Sequence, residues 1–340
     1  MIRDAHTLAG RIREIHAAIR DEVVAACERN ATDTMARVVS EGLGDTVFEI
    51  DRVSETMLIE RFEELARERS FVLIVEGQSS QGGMALPRGI DPEDAELRVI
   101  VDPVDGSRGL MYQKRSAWIL TGVAPNRGEG TTLADIELAV QTEIPTIKQH
   151  LCDVLWAVAG GGPNGERLDR FSGEREPFIP TPSRSNTIAQ GFGGLARFVP
   201  GVRAELAGID DRVHEIVLGP VRRGEAQAFE DQYISTGGQL YELMLGHDRW
   251  VADLRPVAEA VLRGQGLELG LCCHPYDLCT ELIAREAGVL VANEHGDPLS
   301  APLDTEANVA WVGYANTEIQ DQVAPALRTA PKERGLTSAS

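Results

Sequence analysis

The stretch Val101-Asp102-Pro103-Val104-Asp105-Gly106-Ser107-Arg108-Gly109 decides how the rest of the chain is interpreted. An apolar run leads directly into it, which predicts a buried strand that stops abruptly. Pro103 has no backbone N–H to continue a ladder, and Gly106 permits a tight reversal of the chain. Asp102 and Asp105 therefore lie at a strand end, where two acids cannot both lose their water cheaply without a cation. A solvated turn, in which these side chains bond neighbouring amides, explains the local pattern equally well.

Length and composition limit the class of protein. The chain has 340 residues, which is enough for two lobes of ordinary domain size. Its 43% hydrophobic and 25% charged residues are typical of a soluble globular protein. No apolar run reaches the roughly 18 residues that a membrane span needs, and the N-terminus has no signal-peptide core. We therefore expect no membrane partner.

Charge and cysteine content narrow the partners and the compartment. The formal net charge of -20 disfavours general attraction to a nucleic-acid polymer. If the substrate is a small anion, the protein must mask its own field locally, and a divalent metal would do that. The five cysteines are odd in number and form no repeated Cys-x-x-Cys pairs, which favours reduced thiols and a cytoplasmic protein.

Two features precede the central stretch. Apolar residues at helical spacing over 5–40 predict one or two amphipathic helices, and a second helical pattern begins near Asp51. Capping of that helix is an adequate explanation of Asp51 from local sequence alone. The run Phe71-Val72-Leu73-Ile74-Val75-Glu76-Gly77 predicts a strand covered on both faces, and Glu76 is a further acid at a strand end.

The remainder of the chain predicts a meander and then a second lobe. Strands are expected over 118–124, 136–143 and 154–159, whereas the polar residues 163–185 are expected to form loops. We place the N-terminal lobe at 1–180, the C-terminal lobe at 181–330 and a flexible tail at 331–340.

Two helix starts in the second lobe carry candidate site residues. Ser235-Thr236-Gly237-Gly238 opens a short helix whose free amides would seat an anion, although an ordinary N-cap explains it as well. Pro275-Tyr276-Asp277 is predicted to start another helix.

Four acids share one description, since each lies at the end of an element and follows an apolar stretch. They are Glu76, Asp102, Asp105 and Asp277. Several carboxylates without matching lysines or arginines are typical of a site for a hard cation such as Mg²⁺. Two such ions about 4 Å apart would stabilise both the attacking and the leaving oxygen in a displacement at phosphorus.

The ordered motifs resemble those of the inositol monophosphatase/fructose-1,6-bisphosphatase superfamily of magnesium-dependent, lithium-sensitive sugar phosphatases. Asp102-Pro103-Val104-Asp105-Gly106-Ser107 is similar to the central Asp-Pro-(Ile/Leu/Val)-Asp-Gly-(Thr/Ser) motif. Glu76 matches the first Glu of the Gly-Glu-Glu motif, and Asp51 matches an upstream Asp motif. Tyr276-Asp277 with Glu286-Ala287-Gly288 resembles the third motif, Trp-Asp followed by a helix and Glu-Ala-Gly-Gly.

The resemblance implies a fold and a set of metal ligands. The expected fold is α/β layered (α+β), a five-layer α-β-α-β-α sandwich with the metals between two lobes, and the expected assembly is a homodimer. Two to three Mg²⁺ ions are implied. Glu76, Asp102 and the main-chain carbonyl of Val104 would hold the first, and Asp102, Asp105 and Asp277 the second. A third, weaker ion would lie near Glu76.

The resemblance also implies catalytic and substrate-binding residues. Ser107 and Asp51 would be the hydroxyl–carboxylate pair that orients the attacking water and takes its proton. The amides of Gly106 and Ser107 would hold phosphate oxygens. The implied contacts to substrate hydroxyls are Ser235, Thr236, Gly237 and Glu268.

The expected activity is hydrolysis of a phosphorylated polyol or sugar by a phosphomonoesterase. A 3′-phosphoadenosine-type nucleotide phosphatase and a fructose-1,6-bisphosphatase remain open, and Arg108, Lys114 and Arg115 are candidates for binding a second phosphate. A catalytically inactive sugar-phosphate-binding relative is the alternative from another class. Gly77 favours it, because the family usually has a second Glu there, and its absence would weaken the third metal site.

Overall fold

The structure is a computed structural model that describes residues 1–29, 38–41, 46–77, 82–198, 200–264, 266 and 271–336, with the backbone alone at 38–41, 46–55 and 260. The helices in this part of the chain are α1 (Ala5–Arg29), α2 (Glu49–Leu65), α3 (Ser107–Met111), α4 (Arg203–Leu218), α5 (Thr236–Met244), α6 (Glu259–Gly264), α7 (Glu281–Ala287) and α8 (Thr317–Glu333). The strands are β1 (Val38–Glu41), β2 (Thr46–Phe48), β3 (Phe71–Val75), β4 (Met84–Leu86), β5 (Leu97–Asp105), β6 (Ala117–Pro125), β7 (Leu138–Ile144), β8 (Leu151–Val158), β9 (Pro163–Asp169), β10 (Arg175–Phe178), β11 (Phe192–Leu195), β12 (Asp248–Asp253), β13 (Leu290–Ala292) and β14 (Trp311–Tyr314).

An eight-stranded sheet forms the larger half of the fold. Its order is β10-β9-β8-β7-β6-β5-β3-β4, and β3 and β5 are its parallel pair. Helix α1 buries a stripe at helical spacing that includes Leu8, Ile12, Ile15 and Ile19, as an amphipathic helix over a sheet should. This stripe and α2 form one core with the outer face of the sheet, around Phe62.

The opposite face of the large sheet is covered by α5 and α7, beyond which lies a four-stranded sheet of order β11-β12-β14-β13. The far face of that small sheet packs against α4 and α8, with Trp250 fully buried between them. The layers therefore run helix, sheet, helix, sheet, helix, and the predicted five-layer sandwich is confirmed. All strands of the large sheet precede residue 180 and all strands of the small sheet follow it; a division into lobes at that point stays a prediction.

The structure differs from the sequence prediction over 163–185. Strands β9 and β10 pair antiparallel there at the edge of the large sheet. Their polar character misled the interpretation, because edge strands keep charged side chains in solvent. One example is the ion pair of Arg175 and Glu166 across the two strands.

Two helix boundaries also differ. The helix expected to begin at 275–277 begins at Glu281, after a series of turns. The Asp277 carboxylate accepts a hydrogen bond from the His274 amide (2.6 Å) and closes one of these turns. Helix α8 continues through Glu333 into the predicted tail, because Ala330, Pro331 and Leu336 are buried against the core.

Two further observations bear on the expected environment. Among the described residues, no helix combines the length and apolar character that a membrane crossing requires. All five cysteines are buried free thiols.

Candidate metal centre

Strand β5 places Asp102 and Asp105 in one pocket. All nine of its residues are buried, and residues three apart in a regular strand would face opposite sides of the sheet. The register with β6 shifts between Asp102 and Asp105, at the point where Pro103 cannot donate to the ladder. This irregularity allows both carboxylates to point to the same side.

Glu76 reaches Asp102 because β3 and β5 are parallel. Val75 is paired with Val101, so the next residues of the two strands lie side by side at the same edge of the sheet. The Glu76 amide donates to the Val101 carbonyl (3.1 Å), and the Glu76 and Asp102 side chains line the same cavity.

Asp277 completes the cluster from a distant part of the chain. One oxygen of each of Asp102, Asp105 and Asp277 lies within 4.8 Å of the others. These acids and Glu76 line a cavity of about 70 Å³. A larger cavity of about 470 Å³ lies between Tyr314 and α8, and none of these four acids lines it. The structure therefore brings together all four acids that the sequence singled out.

The electrostatics of the cluster fit a divalent cation. Burial raises the pKa of Asp102 well above its usual range, and the charges of Glu76, Asp105 and Asp277 raise it further. Burial and the charge of Asp105 likewise raise the pKa of Asp277. Buried oxygen donors that repel one another are the ligand set that Mg²⁺ prefers, and a bound cation would remove the repulsion.

The start of α5 holds Asp105. The Ser235 hydroxyl (2.8 Å) and the Gly237 amide (2.6 Å) both donate to Asp105 Oδ2, and Ser235 Oγ also accepts from the Gly238 amide as the N-cap. Burial raises the pKa of Asp105 to about 6, an effect that these hydrogen bonds oppose. Ser235 and Gly237 thus contact a proposed metal ligand, and their contact with substrate stays a prediction.

Two glycines permit these close approaches. A Cβ on Gly237 would lie 2.6 Å from Leu120 Cδ2 and 2.9 Å from Asp105 Oδ2. Gly106, the N-cap of α3, has φ +90°, and a Cβ there would lie 2.9 Å from Ser235 Cβ. Both positions need glycine for steric reasons, and Gly106 needs it also for its conformation.

Some of the remaining predicted site residues line the cavity, and the side chains of the others lie outside the described part of the chain. Gly106, Ser107, Val104 and Thr236 line the cavity, and the Val104 amide donates to Asp102 Oδ1 (2.9 Å). Asp51 lies in α2, but its side chain is outside the described residues, as is the whole of Glu268. The roles of all these residues stay predictions.

The candidates for a second phosphate are separated. Arg108 lines the acid-lined cavity. Arg115 instead forms ion pairs with Asp231 and Glu242 and lies over the Tyr233 ring, while Lys114 lines a different cavity.

A buried ion pair beside the acids was not predicted from the sequence. Asp253 is 1% and Arg255 2% exposed, and the guanidinium donates to Asp253 Oδ1 (2.8 Å) and to the Leu271 carbonyl (2.9 Å). Arg255 lines the cavity, and its charge opposes the rise in the pKa of Asp277. A signal existed, since Asp253 follows the apolar residues Trp250-Val251-Ala252 at the end of β12, as Asp105 lies at the end of β5.

Comparisons with known proteins support the fold. No protein-family model and no curated protein matches the sequence, but solved structures do. The holo form of Leishmania major fructose-1,6-bisphosphatase gives a TM-score of 0.69 at 14% identity, with 96% of this chain and 95% of that chain covered. The extragenic suppressor protein SuhB from Bartonella henselae gives 0.62 at 14% identity, covering 95% and 99%.

A third solved structure is a hypothetical protein from Pyrococcus horikoshii with similarities to inositol-1 monophosphatase. It gives a TM-score of 0.62 at 15% identity, with 95% of this chain and 99% of that chain covered. The chain therefore has the fold of the inositol monophosphatase/fructose-1,6-bisphosphatase superfamily, as its motifs predicted.

Proposed function

We propose that this chain is a Mg²⁺-dependent phosphomonoesterase that hydrolyses a phosphorylated polyol or sugar. The observation that carries the proposal is the convergence of Asp102, Asp105 and Asp277 within 4.8 Å, with Glu76 lining the same cavity. The fold supports a phosphatase in general, since the similar structures include a fructose-1,6-bisphosphatase.

Four carboxylates and one carbonyl would hold two ions. Glu76, Asp102 and the Val104 carbonyl suit one position, and Asp102, Asp105 and Asp277 suit the other. Gly77 is exposed and has φ +77°, so it offers no side chain to a third ion, which weakens the case for one. Bound Mg²⁺ would make hydroxide available near neutral pH and neutralise charge on the phosphate.

The chain's own residues would then orient the reactants. The amides of Gly106 and Ser107, at the start of α3, would hold phosphate oxygens. The Ser107 hydroxyl would position the water, and Asp51 would accept its proton. The Arg255 guanidinium donates to Asp253, and Arg255 lines the same cavity as Asp277.

Phosphate release from a panel of phosphomonoesters tests the proposal. We expect hydrolysis of polyol or sugar phosphates that requires Mg²⁺ and is inhibited by Li⁺. The Asp102→Asn protein should fold normally but lose the activity. The control is Asp304→Asn, because Asp304 also accepts backbone amide hydrogen bonds but lies in a loop apart from the cluster. An Asp102→Asn protein with full activity would refute the assignment.

The same panel separates the alternatives. Arg108 in the cavity lining favours a bisphosphate as the second candidate substrate. Fructose 1,6-bisphosphate and adenosine 3′,5′-bisphosphate therefore belong in the panel, and a sugar phosphatase should ignore the latter. Calorimetry that records binding of metal and sugar phosphate without hydrolysis would instead favour an inactive relative. Sedimentation velocity tests the proposed homodimer.

A further inference from the structure

Gln141 is a fully buried amide in an otherwise apolar layer. It lies in the middle of β7, and its paired neighbours are Leu120 on β6 and Leu155 on β8. Both leucines belong to the core between the large sheet and α5 and α7. An amide at 0% exposure in such surroundings costs free energy unless both of its ends are hydrogen-bonded.

One end of Gln141 reaches the residue that supports Asp105. Gln141 Nε2 donates to the Gly237 carbonyl (2.8 Å), and the amide of the same Gly237 donates to Asp105 Oδ2 (2.6 Å). The first turn of α5 is therefore fixed on one side to the carboxylate and on the other to β7. A Cβ on Gly237 would lie 2.9 Å from Asp105 Oδ2, so glycine is needed for this close approach to the carboxylate.

The other end of Gln141 reaches the segment that carries Asp277. Gln141 Oε1 accepts a hydrogen bond from Thr280 Oγ1 (3.0 Å). Thr280 is fully buried and is the N-cap residue of α7, yet its side chain makes no cap hydrogen bond. A threonine at this position ordinarily accepts from an amide of its own helix. Here its hydroxyl instead binds β7, three residues after Asp277.

We propose that Gln141 is a positioning residue that fixes the separation of Asp105 and Asp277. The inference rests on the proposed metal site, because it assigns Gln141 to the geometry of two ligands of one ion. The two carboxylates are far apart in the sequence, and the segments that support them are both hydrogen-bonded to this side chain. Gln141 contacts neither the metal nor the substrate.

The experiment measures Mg²⁺ binding to metal-free protein by isothermal titration calorimetry. Gln141→Leu keeps the side chain close in size, suits the apolar surroundings and removes both hydrogen bonds. Loss of a residue hydrogen-bonded directly to a metal ligand weakens binding by roughly 10- to 100-fold. Gln141 acts through Gly237 and Thr280, so we expect the lower end, about 10-fold, for the site shared by Asp105 and Asp277. Thr280→Val removes the hydroxyl that bonds Gln141 and should weaken Mg²⁺ binding at the same site. Thr280→Ser keeps the hydroxyl and should bind Mg²⁺ as the wild type does.

Thr142→Val is the matched control. Thr142 is the next residue of β7, faces the opposite side and bonds buried His16 (3.0 Å). The Thr142→Val protein therefore loses a comparable buried hydrogen bond, and the substitution leaves the contacts of Gly237 and Thr280 intact. In EDTA, Thr142→Val and Gln141→Leu should both lower the melting temperature, but Gln141→Leu alone should alter the Mg²⁺ titration.

The outcomes distinguish this inference from the proposed function. If the wild type binds no Mg²⁺, both fail. If the wild type binds Mg²⁺ and Gln141→Leu titrates as Thr142→Val does, the inference alone is overturned. If Gln141→Leu does not fold, the Thr280 pair decides: equal Mg²⁺ affinities of Thr280→Val and Thr280→Ser overturn the inference. The double variant Gln141→Leu/Thr280→Val should bind Mg²⁺ like Gln141→Leu, since the contact is already lost.

Discussion

Replacing Asp277 with Asn should stabilise the metal-free protein and reduce its stabilisation by Mg²⁺, because Asp277 is proposed to hold one of the two ions. Oxygens of Asp277, Asp102 and Asp105 lie within 4.8 Å of one another, and two full charges at that separation repel by about 3 kcal/mol at an effective dielectric constant of about 20. The raised pKa values of Asp102 and Asp277 show that burial and repulsion oppose full ionisation of the cluster, and we expect a gain of about 1–3 kcal/mol. Asn can still accept the hydrogen bond that the His274 amide now donates.

This gain in the free energy of unfolding corresponds to a measurable rise in melting temperature. Unfolding entropy scales with length, and for 340 residues it is about 0.7 kcal/mol/K. The Asp277→Asn protein in EDTA should therefore melt about 1.5–4 °C above the wild type. Mg²⁺ at about 100 times its dissociation constant stabilises a one-site protein by about 2.7 kcal/mol, which is about 4 °C here. The Mg²⁺-induced rise should therefore be smaller in the Asp277→Asn protein than in the wild type, because the variant keeps only the position at Glu76 and Asp102.

Calorimetric melting near pH 8, in EDTA and in Mg²⁺, checks both halves of the prediction. Asp304→Asn is the control for the general effect of removing one negative charge, and its response to Mg²⁺ should equal that of the wild type. The reasoning is refuted if Asp277→Asn melts below the wild type in EDTA, or if Mg²⁺ raises its melting temperature as much as in the wild type.

Two further predictions follow from the same site. Burial raises the pKa of Asp105 from 3.8 to about 6. Between these pH values the folded metal-free protein binds more protons than the unfolded chain. Protonation of Asp105 therefore stabilises the metal-free fold at low pH, and this stabilisation is lost as pH rises through that window. Mg²⁺ competes with these protons, so its effect on the melting temperature should grow from about pH 5 to about pH 8; a constant effect would contradict this. Gly237→Ala should cost about 1–3 kcal/mol by overpacking and weaken Mg²⁺ binding. Gly10→Ala, where a Cβ meets nothing within 4 Å, should do neither, and equal melting temperatures for the two variants would refute the steric argument.

The acids of the site could be predicted because they interrupt apolar strands. A carboxylate directly after a buried run contradicts its surroundings, and Glu76, Asp102 and Asp105 all stand out in this way. The same rule identifies Asp253, but its partner Arg255 could not be recognised, since the pairing depends on a turn after β12. The layers of the fold followed from the motif resemblance more than from periodicity.

Contacts between distant segments could not be predicted from local patterns. A single polar residue in a strand ordinarily indicates a solvent-facing position, so nothing in the sequence marks Gln141 as buried. Its two partners, Gly237 and Thr280, lie about 100 and 140 residues further along the chain. The polar edge strands β9 and β10 were missed for the opposite reason, because there the polar residues do face solvent.

The start of α5 resolves an ambiguity that the sequence left open. Ser235-Thr236-Gly237-Gly238 fits both an N-cap and an anion site, and the structure has both at once: Ser235 Oγ accepts from the Gly238 amide and donates to Asp105. The anion at this helix start is the protein's own carboxylate. Donors at Asp105 offset part of its desolvation, so its pKa reaches only about 6 while those of Asp102 and Asp277 rise well above their usual range. The helix therefore supplies at Asp105 some of the positive potential that a bound cation would supply to the whole cluster.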